Sequence, residues 1–114
     1  MSGGTRGEIV AQLRAAGGDA IAVRADVSDE SQVDAAIAEV VDRLGPVELL
    51  ANVAGGSGAG MGAAPLLELT PSEFQRVLEV NLVGTWLVSR ACARTMIDAG
   101  HGGRIVNTSS QAGR

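Results

Sequence analysis

A pair of serines follows a short run of β-branched residues near the C-terminal end of the sequence. Residues 105–108 read Ile-Val-Asn-Thr, and Ser109 and Ser110 come directly after them. A serine hydroxyl is a poor nucleophile without a base, and the sole histidine, His101, lies at the other end of this predicted strand. Neither serine stands in a Gly-x-Ser-x-Gly sequence, which disfavours serine hydrolysis. We therefore predict that Ser110 donates a hydrogen bond to a substrate oxygen.

A polar amide lies among apolar residues on one face of a predicted helix. Asn81 shares this face with Phe74, Val77, Leu78 and Thr85. Burying an amide without a partner costs roughly 1–3 kcal/mol, so we expect this side chain to be paired or to open onto a cavity. The pattern is consistent both with a satisfied core asparagine and with a polar group that lines an active site.

Two more candidates stand where a predicted strand ends. Asp26 and Val27 close an apolar run that begins at residue 20. Open α/β sheets bind ligands at the carboxyl ends of their parallel strands. There the Asp26 carboxylate can accept a hydrogen bond from an adenine amino group, and the Val27 N–H can donate to a ring nitrogen. A simple turn aspartate before a helix fits the same pattern.

Small residues follow the next predicted strand. Asn52, Val53, Ala54 and Gly55 come directly after an apolar run at residues 47–51. Small side chains at a strand end let a ligand approach the backbone closely. Asn52 has a second interpretation, in which its amide ties neighbouring strands together.

Several other kinds of chemistry find no support in the residue types. One histidine and one cysteine do not make a metal-ligand set, and Cys92 is expected to pack inside a helix. The glycine-rich residues 55–62 lack the lysine of a phosphate-binding P-loop. The sequence contains no tyrosine and no lysine, so this chain alone cannot run a mechanism that needs a phenol or an amine.

Charge and hydropathy exclude some partners. The net charge is −4 and there is no basic run, so we expect no nucleic-acid partner. The apolar runs are far shorter than the roughly 20 residues that span a bilayer, so we expect no membrane segment. A single cysteine permits no internal disulfide and favours a cytoplasmic protein.

These candidates need a scaffold in which strands and helices alternate. The pattern predicts helices over residues 8–16, 28–44 and 70–99, and strands over 20–27, 47–51 and 104–108. Ser28 is the predicted N-cap of the second helix, and a Thr-Pro-Ser-Glu capping box begins the third at Thr70. Gly84 weakens this third helix by about 1 kcal/mol relative to alanine, which predicts close packing or a kink. Such alternation is typical of one open α/β sheet with parallel strands.

The order and spacing of four motifs resemble a known family. Asp26-Val27 is followed by LLANVAG (residues 49–55), VNLVGTW (80–86) and GRIVNTSSQAG (103–113). From about residue 8 onward, the sequence resembles the central part of the short-chain dehydrogenase/reductase family. This resemblance implies a Rossmann-like, doubly wound parallel sheet. It also implies an NAD- or NADP-dependent oxidoreductase that transfers hydride between nicotinamide and a carbonyl or alcohol substrate.

The resemblance also implies roles for the candidate residues. Asp26 and Val27 would hold the adenine, and residues 52–55 would lie against the adenosine ribose and support the central strand. Asn81 would organise a water in the proton relay, and Ser110 would orient the substrate oxygen. We expect residues 1–7 to be a disordered leader and residues 8–114 to form a partial dinucleotide-binding domain.

The sequence also departs from the family pattern. The glycine-rich Thr-Gly-x-x-x-Gly-x-Gly loop and the Tyr-x-x-x-Lys pair are missing, and Val53 replaces a usual asparagine. We therefore expect the 114-residue chain to be an inactive stretch of a longer enzyme whose full-length form is a homo-oligomer. One alternative is a non-catalytic remnant, or an interaction or dimerisation module of the same fold. Another is an unrelated Rossmann-like transferase, which would not explain the NTSSQAG segment.

The missing parts have a consequence for the sheet. In the strand order 3-2-1-4-5-6, the three predicted strands correspond to strands 3, 4 and 5. Strands 4 and 5 can pair, whereas strand 3 lies two places away from strand 4. We therefore expect the isolated chain to be marginally stable, to aggregate, or to pair strand 3 beside strand 4.

Overall fold

The described part of the chain is an α/β unit whose helices outnumber its strands. A computed structural model describes residues 2–55 and 65–109. Ser110 and most of the glycine-rich segment lie outside these residues. The elements are α1 (Ser2–Ala15), α2 (Glu30–Leu44), β1 (Leu49–Asn52), α3 (Pro71–Leu78), α4 (Gly84–Ala99) and β2 (Arg104–Asn107). A π turn, Glu79–Val83, joins α3 to α4, so the two form one long helix.

The two strands pair in parallel. Leu49 lies opposite Arg104 at one end of the ladder, and Asn52 lies opposite Asn107 at the other. The long helix between them forms the crossover that parallel strands require. This pairing confirms the predicted α/β class and the expected partnership of the two strands.

The core lies between α2 and α4. Val33, Leu87 and Ala91 are buried against one another. Val27, Ile37 and Val88 are partly buried against this cluster. The apolar residues Val33 and Ile37 of α2 therefore face α4. The second half of α4 is also well packed, since Cys92 and Met96 are both buried.

The predicted strand over residues 20–27 is wrong. These residues form neither a strand nor a ladder with any described segment, and they do not pair beside β1. A strand exists only where a neighbouring backbone completes its hydrogen bonds. Here the end of the segment is held by side-chain packing instead, because Val27 contacts the core and lies against Gly84.

The first helix is longer than predicted. It begins at Ser2 and therefore includes residues 2–7, which the sequence analysis assigned to a disordered leader. Once nucleated, a helix gains one backbone hydrogen bond for each added residue, which favours extension past the predicted start. The helix ends within one residue of the predicted end at residue 16, because Gly17 adopts a φ of +94° and the Gly18 N–H donates to the carbonyl of Leu13. The division of the chain at residue 7 stays a prediction.

The caps explain where the other helices begin. Asp29 rather than Ser28 is the N-cap of α2, since its Oδ1 accepts hydrogen bonds from the backbone N–H groups of Ser31 and Gln32. Ser28 instead donates to Asp26. The capping box at Thr70 is confirmed, because its side chain and that of Glu73 each accept from the other residue's backbone N–H.

The lack of a ladder predicts fast exchange over residues 20–25. In the 114-residue chain, we expect their amide hydrogens to exchange with deuterium much faster than those of α4, because they find no backbone acceptor among residues 2–55 and 65–109. Hydrogen exchange followed by NMR measures both sets in one sample. Protection of residues 20–25 equal to that of α4 would show that they pair with another strand, such as one from a second chain.

Candidate active site

A cleft opens at the carboxyl ends of the two strands. Its volume is about 480 Å³. Three segments line it, namely residues 53–55 after β1, residues 108–109 after β2, and one face of the long helix with Val77, Asn81 and Thr85. Three of the four motifs singled out in the sequence therefore meet in one place. Parallel strands end at the same sheet edge, and this geometry brings the segments that follow them together.

A larger groove lies elsewhere. It has a volume of about 540 Å³ and runs between α2 and α4, with Asp34, Val41 and Arg94 among its lining residues. None of the predicted site residues lines it. We therefore take the smaller cleft at the strand ends as the candidate active site.

Asn81 reaches the cleft from the π turn. Its side-chain Nδ2 donates a 3.0 Å hydrogen bond to the backbone carbonyl oxygen of Val77. The backbone carbonyl oxygen of Asn81 accepts a 3.0 Å hydrogen bond from Thr85 Oγ1. A π turn inserts one extra residue into the helical repeat and is frequent at functional sites. Asn81 is exposed and lines the cleft. The side chain therefore opens onto a cavity, and its role in an active site stays a prediction.

Gly55 and Asn81 approach each other closely. A Cβ atom at Gly55 would lie 2.5 Å from Asn81 Oδ1, too close for any side chain without a shift. The glycine therefore lets the segment after β1 lie directly against the helix. This contact sets the spacing between two walls of the cleft.

A similar contact holds the helix against residue 27. A Cβ at Gly84 would lie 2.8 Å from Val27 Cγ2, so the close packing predicted from this glycine is confirmed. The π turn ends one residue before Gly84. The helix therefore lies against Gly55 before this point and against Val27 after it.

Asn52 ties three elements together. Its Nδ2 donates to Asn107 Oδ1 at 3.0 Å and to Ser89 Oγ at 2.9 Å, which joins β1 to β2 and to α4. The side chain is buried, so these bonds are shielded from water. The interpretation of Asn52 as a tie between strands is confirmed, and its role toward a cofactor stays a prediction. Sequence reasoning did not find Ser89 or Asn107, although Asn107 and Asn52 each end a strand and could have been matched on that ground.

Asp26 and Val27 do not line the cleft. Asp26 Oδ1 accepts hydrogen bonds from the Ser28 N–H at 2.9 Å and from Ser28 Oγ at 2.6 Å, which forms a turn before α2. The Arg76 guanidinium lies 3.7 Å from Asp26 Oδ2. The hydrogen bonds from Ser28, assisted by the charge of Arg76, lower the pKa of the Asp26 carboxyl. No sequence pattern singled out Arg76.

The remaining reactive groups do not gather into a site. Among residues 2–55 and 65–109, no group of three or more histidine, cysteine, aspartate and glutamate side chains could hold a metal ion. Cys92 is buried, and burial raises the pKa of its thiol, which disfavours the reactive thiolate. In the same residues, no helix combines the length and apolar character needed to cross a membrane.

With this geometry established, comparison with known proteins places the chain in a family. The family described as short chain dehydrogenase matches residues 2–114. The chain therefore belongs to the short-chain dehydrogenase/reductase family. The motifs that carried the resemblance are the segments that form the cleft and the turn at Asp26.

Individual relatives agree with this assignment. Sorbitol dehydrogenase of Cereibacter sphaeroides is 40% identical over 95 residues, which are 83% of this chain and 36% of that protein. Galactitol 2-dehydrogenase of Agrobacterium fabrum is 37% identical over 100 residues, or 88% of this chain and 38% of that protein. This chain therefore spans well under half the length of these relatives.

Solved structures show the same fold. A short chain dehydrogenase from Mycobacterium smegmatis superposes with a TM-score of 0.83 at 37% identity, covering 95% of this chain and 43% of that one. A 7α-hydroxysteroid dehydrogenase solved with NADH and 7-oxo glycochenodeoxycholic acid gives a TM-score of 0.82 at 29% identity. It covers 94% of this chain and 40% of that chain. The Rossmann-like class predicted from the sequence is confirmed, with two strands rather than three in the described residues.

The tie at Asn52 predicts a loss of stability on truncation. We expect Asn52→Ala to lower the free energy of unfolding by about 1–3 kcal/mol, because two hydrogen bonds to a buried amide disappear. Urea unfolding followed by circular dichroism measures this change. The matched control is Gln75→Ala on the surface of α3, which should change stability by about 0.5 kcal/mol or less. Equal effects of the two substitutions would contradict the role of Asn52 as a tie.

The turn at Asp26 predicts a pH dependence. Because its carboxyl pKa is lower in the folded chain than in the unfolded chain, the stability that it contributes is present above the unfolded pKa. This stability is lost as the pH falls through the folded value. NMR titration of the Asp26 carboxyl carbon should give a midpoint below that of an ordinary aspartate. Ser28→Ala should move this midpoint upward, and an unchanged midpoint would contradict the assigned cause.

Proposed function

We propose that this chain forms the central part of an NAD- or NADP-dependent oxidoreductase. The enzyme would transfer hydride between nicotinamide and the carbonyl or alcohol of a small-molecule substrate. The observation that carries the proposal is the cleft in which Asn81 faces the segments that follow β1 and β2. Membership of the short-chain dehydrogenase family supports it. The relatives named sorbitol dehydrogenase and galactitol 2-dehydrogenase make polyols the first substrates to try.

The residues of the Asp26 turn fit the adenine end of such a cofactor. The Val27 N–H makes no hydrogen bond within residues 2–55 and 65–109, so its donor is available to a ring nitrogen. Asp26 Oδ2 lies beside it in sequence, and its Arg76 contact is longer than a hydrogen bond. A donor and an acceptor on adjacent residues match the edge of an adenine ring. At the cleft, residues 52–55 would lie against the adenosine ribose.

The cleft residues would act on the substrate and its proton. The bound nicotinamide cofactor supplies or accepts the hydride. Ser110, which follows the cleft residue Ser109, would donate a hydrogen bond that orients the substrate oxygen. Asn81 would hold a water in the path by which the proton reaches or leaves that oxygen. The acid or base itself needs a pKa tuned to its task, and we propose that a Tyr-x-x-x-Lys pair of the full-length protein supplies it.

The surface of α4 favours a second candidate function. Leu82 in the π turn and Trp86 and Ile97 in α4 are exposed apolar residues. Contiguous exposed apolar residues mark interaction surfaces. Leu82 and Trp86 lie four positions apart in the long helix, which supports a homo-oligomeric full-length protein. A purely non-catalytic interaction or dimerisation module would use the same surface. We also propose a cytoplasmic location, because the single cysteine forms no disulfide.

Cofactor binding separates the two candidates. Trp86 is the only tryptophan of the chain, so its fluorescence reports on titration of the protein with NADH and NADPH. If the full-length protein is the oxidoreductase, we expect it to bind a nicotinamide nucleotide saturably. It should also form reduced nicotinamide when a polyol and the oxidised cofactor are added. A full-length protein that self-associates but binds neither nucleotide would support the interaction module instead.

Substitution of the cleft residues tests the mechanism. In the full-length protein, we expect Asn81→Ala and Ser110→Ala each to lower kcat by about 10²-fold, the lower range for loss of acid–base assistance. The affinity for NADH should change little, because neither side chain would bind the adenosine end. Steady-state kinetics with separate NADH titration measures both quantities. The control is Gln75→Ala, which should leave kcat unchanged, and a kcat for Asn81→Ala equal to that of the control would contradict the assigned role.

A further inference from the structure

Arg76 links the helix of the cleft to the turn that carries Asp26. Its side chain extends from α3, where Nη1 donates a 2.8 Å hydrogen bond to Ser28 Oγ and Nη2 lies 3.7 Å from Asp26 Oδ2. Ser28 connects Arg76 to Asp26, since its N–H and its hydroxyl both donate to Asp26 Oδ1. The hydrogen bond between Arg76 and Ser28 spans 48 residues of sequence. Arg76 therefore acts on Asp26 through Ser28 as well as through its charge.

The two carboxylate oxygens of Asp26 have different surroundings. Oδ1 is held by two hydrogen bonds from Ser28, which fixes the plane of the carboxylate. Oδ2 faces Arg76 at a distance beyond hydrogen bonding, so it keeps the capacity to accept one from a ligand. Glu79 also faces Arg76, at 4.0 Å, and shares its charge. Arg76 and Asp26 therefore do not form a tight ion pair.

The two contacts of Arg76, with Asp26 and with Ser28, differ in strength. The Arg76 and Asp26 side chains are 42% and 41% exposed, and pairs at such exposure contribute about 0–1 kcal/mol. The hydrogen bond to Ser28 is shorter and charge-assisted, which makes it the stronger contact. The main effect of Arg76 is therefore to hold Ser28, and with it the orientation of the Asp26 carboxylate.

The same helix also carries Asn81. Arg76 lies in α3, five positions before Asn81 in the π turn, and Gly84 at the start of α4 contacts Val27. The turn at residues 26–28 is thus attached to the helix at two points, one on either side of Asn81. A rigid helix held in this way fixes the distance between the turn and the cleft.

We propose that Arg76 is a positioning residue that aligns the Asp26–Val27 edge for the adenine of the cofactor. It touches neither substrate nor nicotinamide, and it acts through Ser28. This inference rests on the proposed function. It assigns to Arg76 a part of the affinity for the adenosine half of the cofactor and no part of the hydride transfer.

Two nucleotides separate positioning of adenine from a general loss of structure. NADH contains the adenosine half, whereas reduced nicotinamide mononucleotide lacks it. In the full-length protein, we expect Arg76→Gln to weaken NADH binding by about tenfold, corresponding to one charge-assisted hydrogen bond. Binding of the mononucleotide should stay within about twofold, and calorimetric titration measures both affinities.

Matched variants make the result specific. Arg43→Gln removes another half-exposed arginine with a glutamate partner, Glu39 at 3.3 Å, and should leave both affinities unchanged. Ser28→Ala should weaken NADH binding about as much as Arg76→Gln. The variant that combines Arg76→Gln with Ser28→Ala should bind NADH about as tightly as either single variant, because the two residues act through one contact. Arg76→Lys keeps the charge with a different donor geometry and should fall between the wild type and Arg76→Gln.

The outcomes distinguish failure of this inference from failure of the proposed function. Wild-type protein that binds neither nucleotide would overturn the proposed function and the role of Arg76 with it. Wild-type binding of NADH that Arg76→Gln leaves unchanged would overturn the role of Arg76 alone. Equal weakening of both nucleotides in Arg76→Gln and Arg76→Lys would show that the arginine supports the fold generally, and this would also overturn the positioning role.

Discussion

The hydrogen bonds of one buried amide hold the candidate site together. Asn52 donates from a single nitrogen to Asn107 and to Ser89, and so it joins the ends of both strands to the helix that crosses between them. Because the strands are parallel and end at the same edge, the segments that leave them emerge side by side. The backbone bond from the Thr108 N–H to the Asn52 carbonyl extends this contact to the first residue after β2. The cleft depends on this junction, since two of its three walls begin there.

The third wall comes from a helix whose regular repeat is interrupted. The π turn at Glu79–Val83 places Asn81 on the cleft, while the helix on either side keeps its packing. Two glycines permit this arrangement, because a Cβ at Gly55 or Gly84 would lie under 3 Å from the side chain of Asn81 or Val27 and would force a shift. The apolar core between α2 and α4 then holds the helix in place. Packing that stabilises the fold and geometry that serves the site are therefore carried by the same helix.

The family relation covers the part of the chain that contains these contacts. The chain belongs to the short-chain dehydrogenases and matches them over residues 2–114, while it spans 36% of the length of the sorbitol dehydrogenase relative. Within this span the chain contains two separate polar regions, the cleft at the strand ends and the turn at Asp26. Both are attached to one helix, through Gly55 at the cleft and through Arg76 and Gly84 at the turn. A ligand that reached both regions would therefore meet groups whose spacing the helix sets.

The sequence by itself determined the features that depend on neighbouring residues. Local patterns predict the capping box at Thr70, the end of α1 near residue 16, the alternation of helix and strand, and the family motifs. Tertiary structure decided what depends on distant partners. Residues 20–27 have the composition of a strand, but no segment in the described part of the chain pairs with them. Asp29 rather than Ser28 caps α2, and the Ser28 hydroxyl instead donates to Asp26 and accepts from Arg76. The hydrogen bonds from Asn52 to Ser89 and Asn107 and from Arg76 to Ser28 span 37 to 55 residues of sequence. Only the folded chain brings such side chains within hydrogen-bonding distance.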